Sequence, residues 1–146
     1  MKYLITIMFL SHLFSQDIGQ KMIENGDYDS AIKYYQFLLN DENLSKDDIL
    51  YNLASIYSSI DSLKQAEEYF NLAIQDSLNP SSDLSYNRGN MFFRSQNLQE
   101  SLKSFREALL KNPEDSEARK NYEFVKNKIE KNQEAQQDSQ QKNDNS

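Results

Sequence analysis

The sequence predicts an all-α protein that consists of three similar helix pairs and a final capping helix. The chain of 146 residues contains only three glycines and two prolines, too few for the many tight turns of a β-sandwich. Its pattern repeats with a period of 35 residues. Each copy holds two helical periodicities that are separated by a short polar break. We therefore expect a stack of antiparallel helix pairs.

The repeat is clearest in two stretches that align without a gap. One begins at Asp47 and reads DDILYNLASIYSSIDSLKQAEEYFNLAIQD; the other begins at Ser82 and reads SDLSYNRGNMFFRSQNLQESLKSFREALLK. The matched columns pair Tyr51 with Tyr86, Asn52 with Asn87, Ala54 with Gly89, Tyr57 with Phe92, Leu63 with Leu98, Phe70 with Phe105 and Ala73 with Ala108. An earlier copy fits the same frame through Gly19, Met22, Tyr28, Ala31, Tyr35 and Leu38. Repeat units are predicted at about 12–46, 47–81 and 82–115.

Polar residues mark where the helices of each unit begin and end. In the third unit Ser82 favours a helix start, the stretch SQN interrupts the pattern, and Pro113 follows the end of the second helix. The first unit reverses in the stretch NGD around Gly26, where these residue types favour a turn. Each unit is therefore predicted to be two antiparallel helices.

The chain after Pro113 predicts a capping helix and then a polar tail. One helical face of the stretch EDSEARKNYEFVKNKIEKNQEAQ is apolar, and Glu and Lys cover the rest; that face carries Ala118, Tyr122, Val125 and Ile129. A stack of repeats needs such a helix to cover its last apolar face, so we assign the cap to residues 115–134. Residues 135–146 are rich in Gln and Asn without apolar periodicity, and they are predicted to be disordered.

The first fifteen residues resemble a short secretory signal peptide. They read MKYLITIMFLSHLFS, with one lysine, an apolar run from Tyr3 to Leu10 and a small residue, Ser15, at the end. The apolar run is shorter than the roughly 20 residues of a membrane span, so no stable span is expected unless the signal stays uncleaved as an anchor. The sequence therefore predicts an exported protein of the periplasm or cell envelope, with a repeat domain over residues 16–134.

Composition argues against several classes of function. The chain has no cysteine and one histidine, His12, which lies in the predicted signal peptide, so thiolate or histidine metal sites and serine–histidine triads are not expected. The net charge is −7 and no basic stripe is present, which argues against nucleic-acid binding. Adjacent acidic pairs lie on different helical faces rather than converging in a cleft. No enzymatic activity, metal or cofactor is predicted.

The glycine of the stretch YNRGN, residues 86–90, raises the question of a phosphate-binding loop. Alanine occupies the same column at Ala54, and a glycine that is needed for positive φ would not normally alternate with alanine. Gly89 is therefore predicted to be a packing residue, interchangeable with alanine, that lets the second helix of its pair lie close.

Small and aromatic residues recur at fixed spacings in both units. The third unit shows Gly89, Phe92, Phe105, Ala108 and Pro113, and the second shows Ala54, Tyr57, Ala66, Phe70 and Ala73. This pattern resembles the tetratricopeptide repeat over about residues 12–115. The resemblance implies a right-handed α-solenoid in which small residues allow close helix packing and the aromatic residues fill the core. It also implies a concave surface that is lined by the first helix of each unit.

Eight residues of these first helices are candidates for binding a partner peptide. Tyrosine offers rigid apolar area, asparagine can donate to and accept from a peptide backbone, and arginine can pair with a carboxylate. The candidates are Tyr51, Asn52, Ser55, Tyr86, Asn87, Asn90, Phe93 and Arg94. The alternative is that such columns serve helix propensity or hydrogen bonds between repeats, and Asn52, Asn87 and Asn121 share a column that suits either use.

A narrower resemblance covers residues 82–146. The motifs YNRGN, ALLKNP and ARKNYE, followed by a glutamine-rich tail, are similar to the repeat segment of the Bacteroides aerotolerance (Bat) proteins. This resemblance implies partners among envelope proteins with von Willebrand factor A domains. The sequence as a whole predicts a non-catalytic, exported protein-interaction module. The alternative is a periplasmic structural scaffold that associates with itself.

Overall fold

The structure, a computed structural model, describes residues 18–144. The predicted signal peptide, residues 1–15, lies outside the described residues. Within the described range the protein contains seven helices, which confirms the predicted all-α fold. The chain divides into two compact units, one that ends at Leu78 and one that begins at Asn79.

The first compact unit contains four helices among its described residues. They are α1 (residues 18–24), α2 (Tyr28–Leu38), α3 (Lys46–Ser59) and α4 (Leu63–Asp76). Helix α3 packs against both α2 and α4. The second unit contains α5 (Ser82–Arg94), α6 (Leu98–Lys111) and α7 (Ser116–Asp144), and α6 packs against both of its neighbours. The pairs α1–α2, α3–α4 and α5–α6 correspond to the three predicted repeat units.

The core of the first unit is rich in tyrosine as well as aliphatic residues. One cluster of its buried residues consists of Ala31, Tyr35, Ile49, Leu53 and Ile56, with Tyr28, Tyr34, Tyr57 and Tyr69 among the half-buried residues around it. Burial and the neighbouring Tyr34 raise the pKa of Tyr35 above its ordinary value. Tyr57, which was predicted to be a core residue, is half-buried and stacks on Tyr69 with ring centroids 5.3 Å apart.

An aromatic ring of the second helix faces a small residue of the first helix, sixteen positions earlier in the chain. A Cβ atom added to Gly89 would lie 2.8 Å from Cδ1 of Phe105, and one added to Gly19 would lie 2.5 Å from the hydroxyl oxygen of Tyr35. The packing role predicted for Gly89 is thereby confirmed. The predicted interchangeability with alanine is wrong at this position, because the Phe105 ring occupies the space of a methyl group. The Ser101 hydroxyl fixes the approach further by donating to the Gly89 carbonyl at 2.9 Å.

The turn inside each helix pair has the same backbone conformation. Gly26, Asp61 and Gln96 have φ angles of 73°, 62° and 62°, in the left-handed region that favours glycine, and they lie 35 residues apart. The predicted turn at Gly26 is confirmed, and Asp27 then caps α2 by accepting a hydrogen bond from the Ser30 amide. The repeat is therefore a property of the backbone as well as of the side chains.

Helix α7 is longer than the predicted cap. It runs for 29 residues to Asp144, so residues 135–144 are helical where the sequence analysis predicted disorder. That prediction relied on missing apolar periodicity, yet Gln, Glu, Lys and Ala are good helix formers and can extend a helix that has already begun. No helix among residues 18–144 is both long and apolar enough to cross a membrane.

Candidate functional site

A cleft of about 160 Å³ lies in the second unit between α5, α6 and the first half of α7. It is lined by Asn90, Phe93, Phe105, Asn121, Phe124 and Val125, and we call it the α5–α7 cleft. Phe105 and Val125 are each 1% exposed and form its floor. The rings of Phe93 and Phe124 meet edge to face with centroids 5.7 Å apart, and Phe124 is 58% exposed. The cleft thus has a buried apolar floor and an open aromatic wall.

A hydrogen-bonded amide pair lies beside these aromatic rings. The Asn121 side-chain nitrogen donates to the side-chain oxygen of Asn90 at 3.2 Å and to the Tyr86 hydroxyl at 3.3 Å. This pairing uses one amide oxygen and one amide nitrogen, which leaves the nitrogen of Asn90 and the oxygen of Asn121 to donate to and accept from a ligand. The amides are therefore ordered before any ligand arrives.

The two candidate tyrosines pack on the core. The Tyr86 ring centroid lies 5.8 Å from that of Phe105, and the Tyr51 ring centroid lies 6.5 Å from that of Phe70. Edge contacts of this kind stabilise an aromatic pair by about 0.5–1.5 kcal/mol beyond the area they bury. Both tyrosines thus contribute to the packing of their own helix pair, whatever else they contact.

The surroundings of the cleft are locally basic. The Lys128 ammonium lies over the Phe93 ring, 5.2 Å from its centroid. Residues 117–131 of α7 carry five basic and three acidic side chains, although the whole chain has a net charge of −7. One of these basic residues, Lys120, is paired with Glu117 at 2.7 Å. Lys128 therefore places a positive charge against the aromatic wall.

The structure brings three of the eight predicted site residues together, since Tyr86, Asn90 and Phe93 all border or contact the cleft. Asn87 is half-buried on α5, and Arg94 is exposed at its end. The other three lie on α3 in the first unit and are half-buried: Tyr51, Asn52 and Ser55. The Ser55 hydroxyl is buried, with no hydrogen-bond partner among the described residues. A binding role for the eight residues stays a prediction.

Sequence reasoning missed the contribution of α7 to this cleft. Asn121, Phe124 and Lys128 lie at helical spacing along one side of α7, and that spacing was the available signal. The sequence analysis placed Asn121 in one column with Asn52 and Asn87, but it described the helix as a cap on the basis of its apolar face alone. Throughout residues 18–144 no group of three acidic or histidine side chains converges in a way that could hold a metal ion.

These features define an α-helical repeat protein with a preformed cleft between the first helix of one pair and the helix that follows the pair. Two sequence models described as tetratricopeptide repeat match the chain, one at residues 47–75 and one at residues 82–115. The chain therefore contains tetratricopeptide repeats at residues 47–75 and 82–115.

Solved structures of tetratricopeptide repeat domains are similar to this chain. The first such domain of Spaghetti (RPAP3), bound to the HSP90 peptide SRMEEVD, is 25% identical over 80% of this chain and 91% of that one, with a TM-score of 0.73. The second domain of human RPAP3, in complex with the HSP70 peptide SGPTIEEVD, is 22% identical over 77% and 92%, with a TM-score of 0.69.

A third structure of this kind is PcrH in complex with the chaperone-binding region of PopD. It is 14% identical over 82% of this chain and 89% of that chain, with a TM-score of 0.64. At these identities the human and PcrH structures establish similarity of fold alone. No curated protein sequence matches the chain.

Proposed function

We propose that this protein is a non-catalytic interaction module that binds a segment of a partner protein in the α5–α7 cleft. The observation that carries the proposal is the hydrogen-bonded pair of Asn90 and Asn121 beside an open aromatic wall. Amides that are already ordered lose little side-chain entropy when they bind a peptide backbone. Aromatic side chains next to them supply apolar area, which dominates the affinity of most interfaces.

The solved relatives support this proposal through their bound partners. Two of the three were determined with short peptides and one with a region of another protein. The mode of binding proposed for this chain is its own, since it depends on Phe93 and Phe124. A grip on a C-terminal carboxylate is not expected in the usual manner of such domains, because Tyr51 and Tyr86 occupy the columns where those domains place a lysine.

We further propose that the protein is exported and acts in a Bat-like complex of the cell envelope, with von Willebrand factor A domain proteins as partners. The signal-like residues 1–15 and the resemblance of residues 82–146 to Bat proteins support this. Protein recovered from the native envelope is expected to begin at Gln16, as measured by mass spectrometry of its N-terminal peptide. Recovery from the cytoplasm with Met1 retained would contradict export.

Peptide selection with matched variants tests binding in the cleft. The chain from Gln16 is immobilised and offered a displayed library of short random peptides, and the enriched peptides are then synthesised and titrated. Combined Phe93→Ala and Asn121→Ala substitutions are expected to weaken binding by about tenfold or more, because they remove one wall and the order of the amide pair.

Asn127→Ala is the control for this experiment, because Asn127 is exposed on the same helix and does not line the cleft. It is expected to bind the enriched peptides like the unaltered protein. Equal binding by the cleft variant and the control would exclude the cleft as the site. Failure to enrich any peptide, together with a concentration-dependent mass in solution, would favour the self-associating scaffold instead.

A further inference from the structure

We propose that the α5–α7 cleft selects segments in which one large apolar side chain is followed, one or two residues later, by a carboxylate that pairs with Lys128. This inference rests on the proposed function, because it specifies the ligand of the same cleft. It follows from three properties of the second unit: the size of the cleft, the position of its cation and the uncharged lining of the next cleft along α7.

The size of the cleft suits a single side chain. Its volume of about 160 Å³ is roughly half of the ~300 Å³ at which small-molecule pockets begin. An apolar cavity of about 150 Å³ is known to hold one benzene ring. The buried floor of Phe105 and Val125 is wholly apolar, so the transfer of an apolar side chain from water into the cleft is favourable. One phenylalanine or leucine side chain of a partner therefore fits.

The position of Lys128 determines which kind of ligand residue is favoured after the apolar side chain. Lys128 is four residues beyond Phe124 on α7, which corresponds to about 6 Å along a helix axis. Successive residues of an extended peptide are about 3.3 Å apart. A ligand that runs in the same direction as α7, with its apolar side chain against Phe124, therefore places its next one or two residues level with Lys128, where a carboxylate is favoured and a cation is disfavoured.

The next cleft along α7 has no charged side chain in its lining. It lies between the α5–α6 turn and α7, is wider, and is lined by Leu98, Ile129 and six side-chain amides: Gln96, Asn97, Gln99, Asn132, Gln133 and Gln136. Amides can bind the main chain of an extended peptide without selecting the charge of its side chains. Charge selection along α7 is therefore assigned to Lys128.

Fluorescence polarisation with four labelled peptides tests this selectivity. All share a Gly-Ser backbone and differ in one central pair: Phe-Asp, Phe-Asn, Phe-Lys or Ser-Asp. The chain from Gln16 is expected to bind Phe-Asp about fivefold or more tightly than each of the other three, and added salt is expected to reduce this preference over Phe-Asn. Lys128→Glu is expected to reverse the order of Phe-Asp and Phe-Lys, and Lys128→Gln to equalise them.

Lys126→Glu provides the matched control, because Lys126 is exposed on the same helix and the change in net charge is identical. It is expected to retain the preference for Phe-Asp, and circular dichroism checks that each variant is folded. Equal binding of Phe-Asp and Phe-Lys that still depends on Phe93 and Asn121 would overturn the selectivity and leave the proposed function intact. Absence of binding by every phenylalanine peptide, while the enriched peptides still bind through Phe93 and Asn121, would also overturn the selectivity alone; absence of binding by both sets of peptides would overturn both.

Discussion

Gly89→Ala is expected to destabilise the second unit by about 2 kcal/mol, although alanine is the better helix former by about 1 kcal/mol. The added Cβ would lie 2.8 Å from Cδ1 and Cε1 of Phe105 and 3.1 Å from its Cγ. Because Cγ is held one bond from Cβ, rotation of the ring alone does not relieve the overlap, and α5 or α6 has to shift. Urea unfolding followed by circular dichroism, with amide hydrogen exchange to locate the loss in α5 and α6, measures the effect.

The double variant Gly89→Ala with Phe105→Leu separates this overlap from other effects. Leucine removes the ring, so adding the methyl group is expected to cost at least about 1 kcal/mol less in the Phe105→Leu background than in the unaltered protein. Ala54→Gly makes the opposite change in the matched column of the second repeat. The stability that it removes should be lost only from the compact unit that ends at Leu78. If Gly89→Ala is as stable as the unaltered protein, α5 and α6 move apart without cost and the prediction is wrong.

Removal of two acidic partners of Arg88 is expected to cost about 1–2 kcal/mol. The Arg88 side chain is 11% exposed and lies 3.8 Å from a carboxylate oxygen of Glu100 and 3.8 Å from one of Glu107. Glu100→Gln combined with Glu107→Gln leaves this nearly buried cation without those countercharges, which is destabilising. The cost stays moderate because both glutamates are more than one third exposed and screened by water.

Arg88→Leu is the matched background for that experiment. The second repeat has a leucine at the position equivalent to Arg88, and this residue, Leu53, is fully buried. Replacing a buried ion pair by an apolar side chain is often neutral or stabilising, so Arg88→Leu is expected to unfold at the same or a higher urea concentration than the unaltered protein. In this background the two glutamine substitutions should cost less than about 0.5 kcal/mol. A full cost there would mean that the glutamates act independently of Arg88.

Much of the fold could be predicted because its determinants are local. The 3.6-residue spacing of apolar side chains and the 35-residue period place the helix pairs, and the aromatic residues that were predicted to be buried at Phe70, Phe92 and Phe105 are buried. The tolerance of Gly89 to alanine could not be predicted, because it depends on a distance between two helices. The length of α7 was missed because its second half is held by helix propensity without an apolar face.

Only one side of the candidate site could be predicted, because its other side comes from a distant part of the chain. Helical geometry alone groups Tyr86, Asn90 and Phe93 on one side of α5. It does not say which element lies opposite, and the pairing of Asn90 with Asn121 joins residues 31 positions apart. The basic end of the cleft depends on the same pairing, because Lys128 acquires its role from its position over the Phe93 ring.

The shared turn conformation divides the chain into segments of equal length that begin and end in the same backbone geometry. The chain reverses in the same way at intervals of 35 residues, at Gly26, Asp61 and Gln96. A segment between two of these positions therefore contains the second helix of one pair and the first helix of the next pair, and its two ends have the same backbone conformation. Duplication or loss of such a segment adds or removes one repeat, and each affected aromatic residue then meets the small residue of another repeat at the same spacing of sixteen positions. The left-handed turns are thus natural breakpoints for recombination, and the length of such an array can vary while its packing rule is inherited intact.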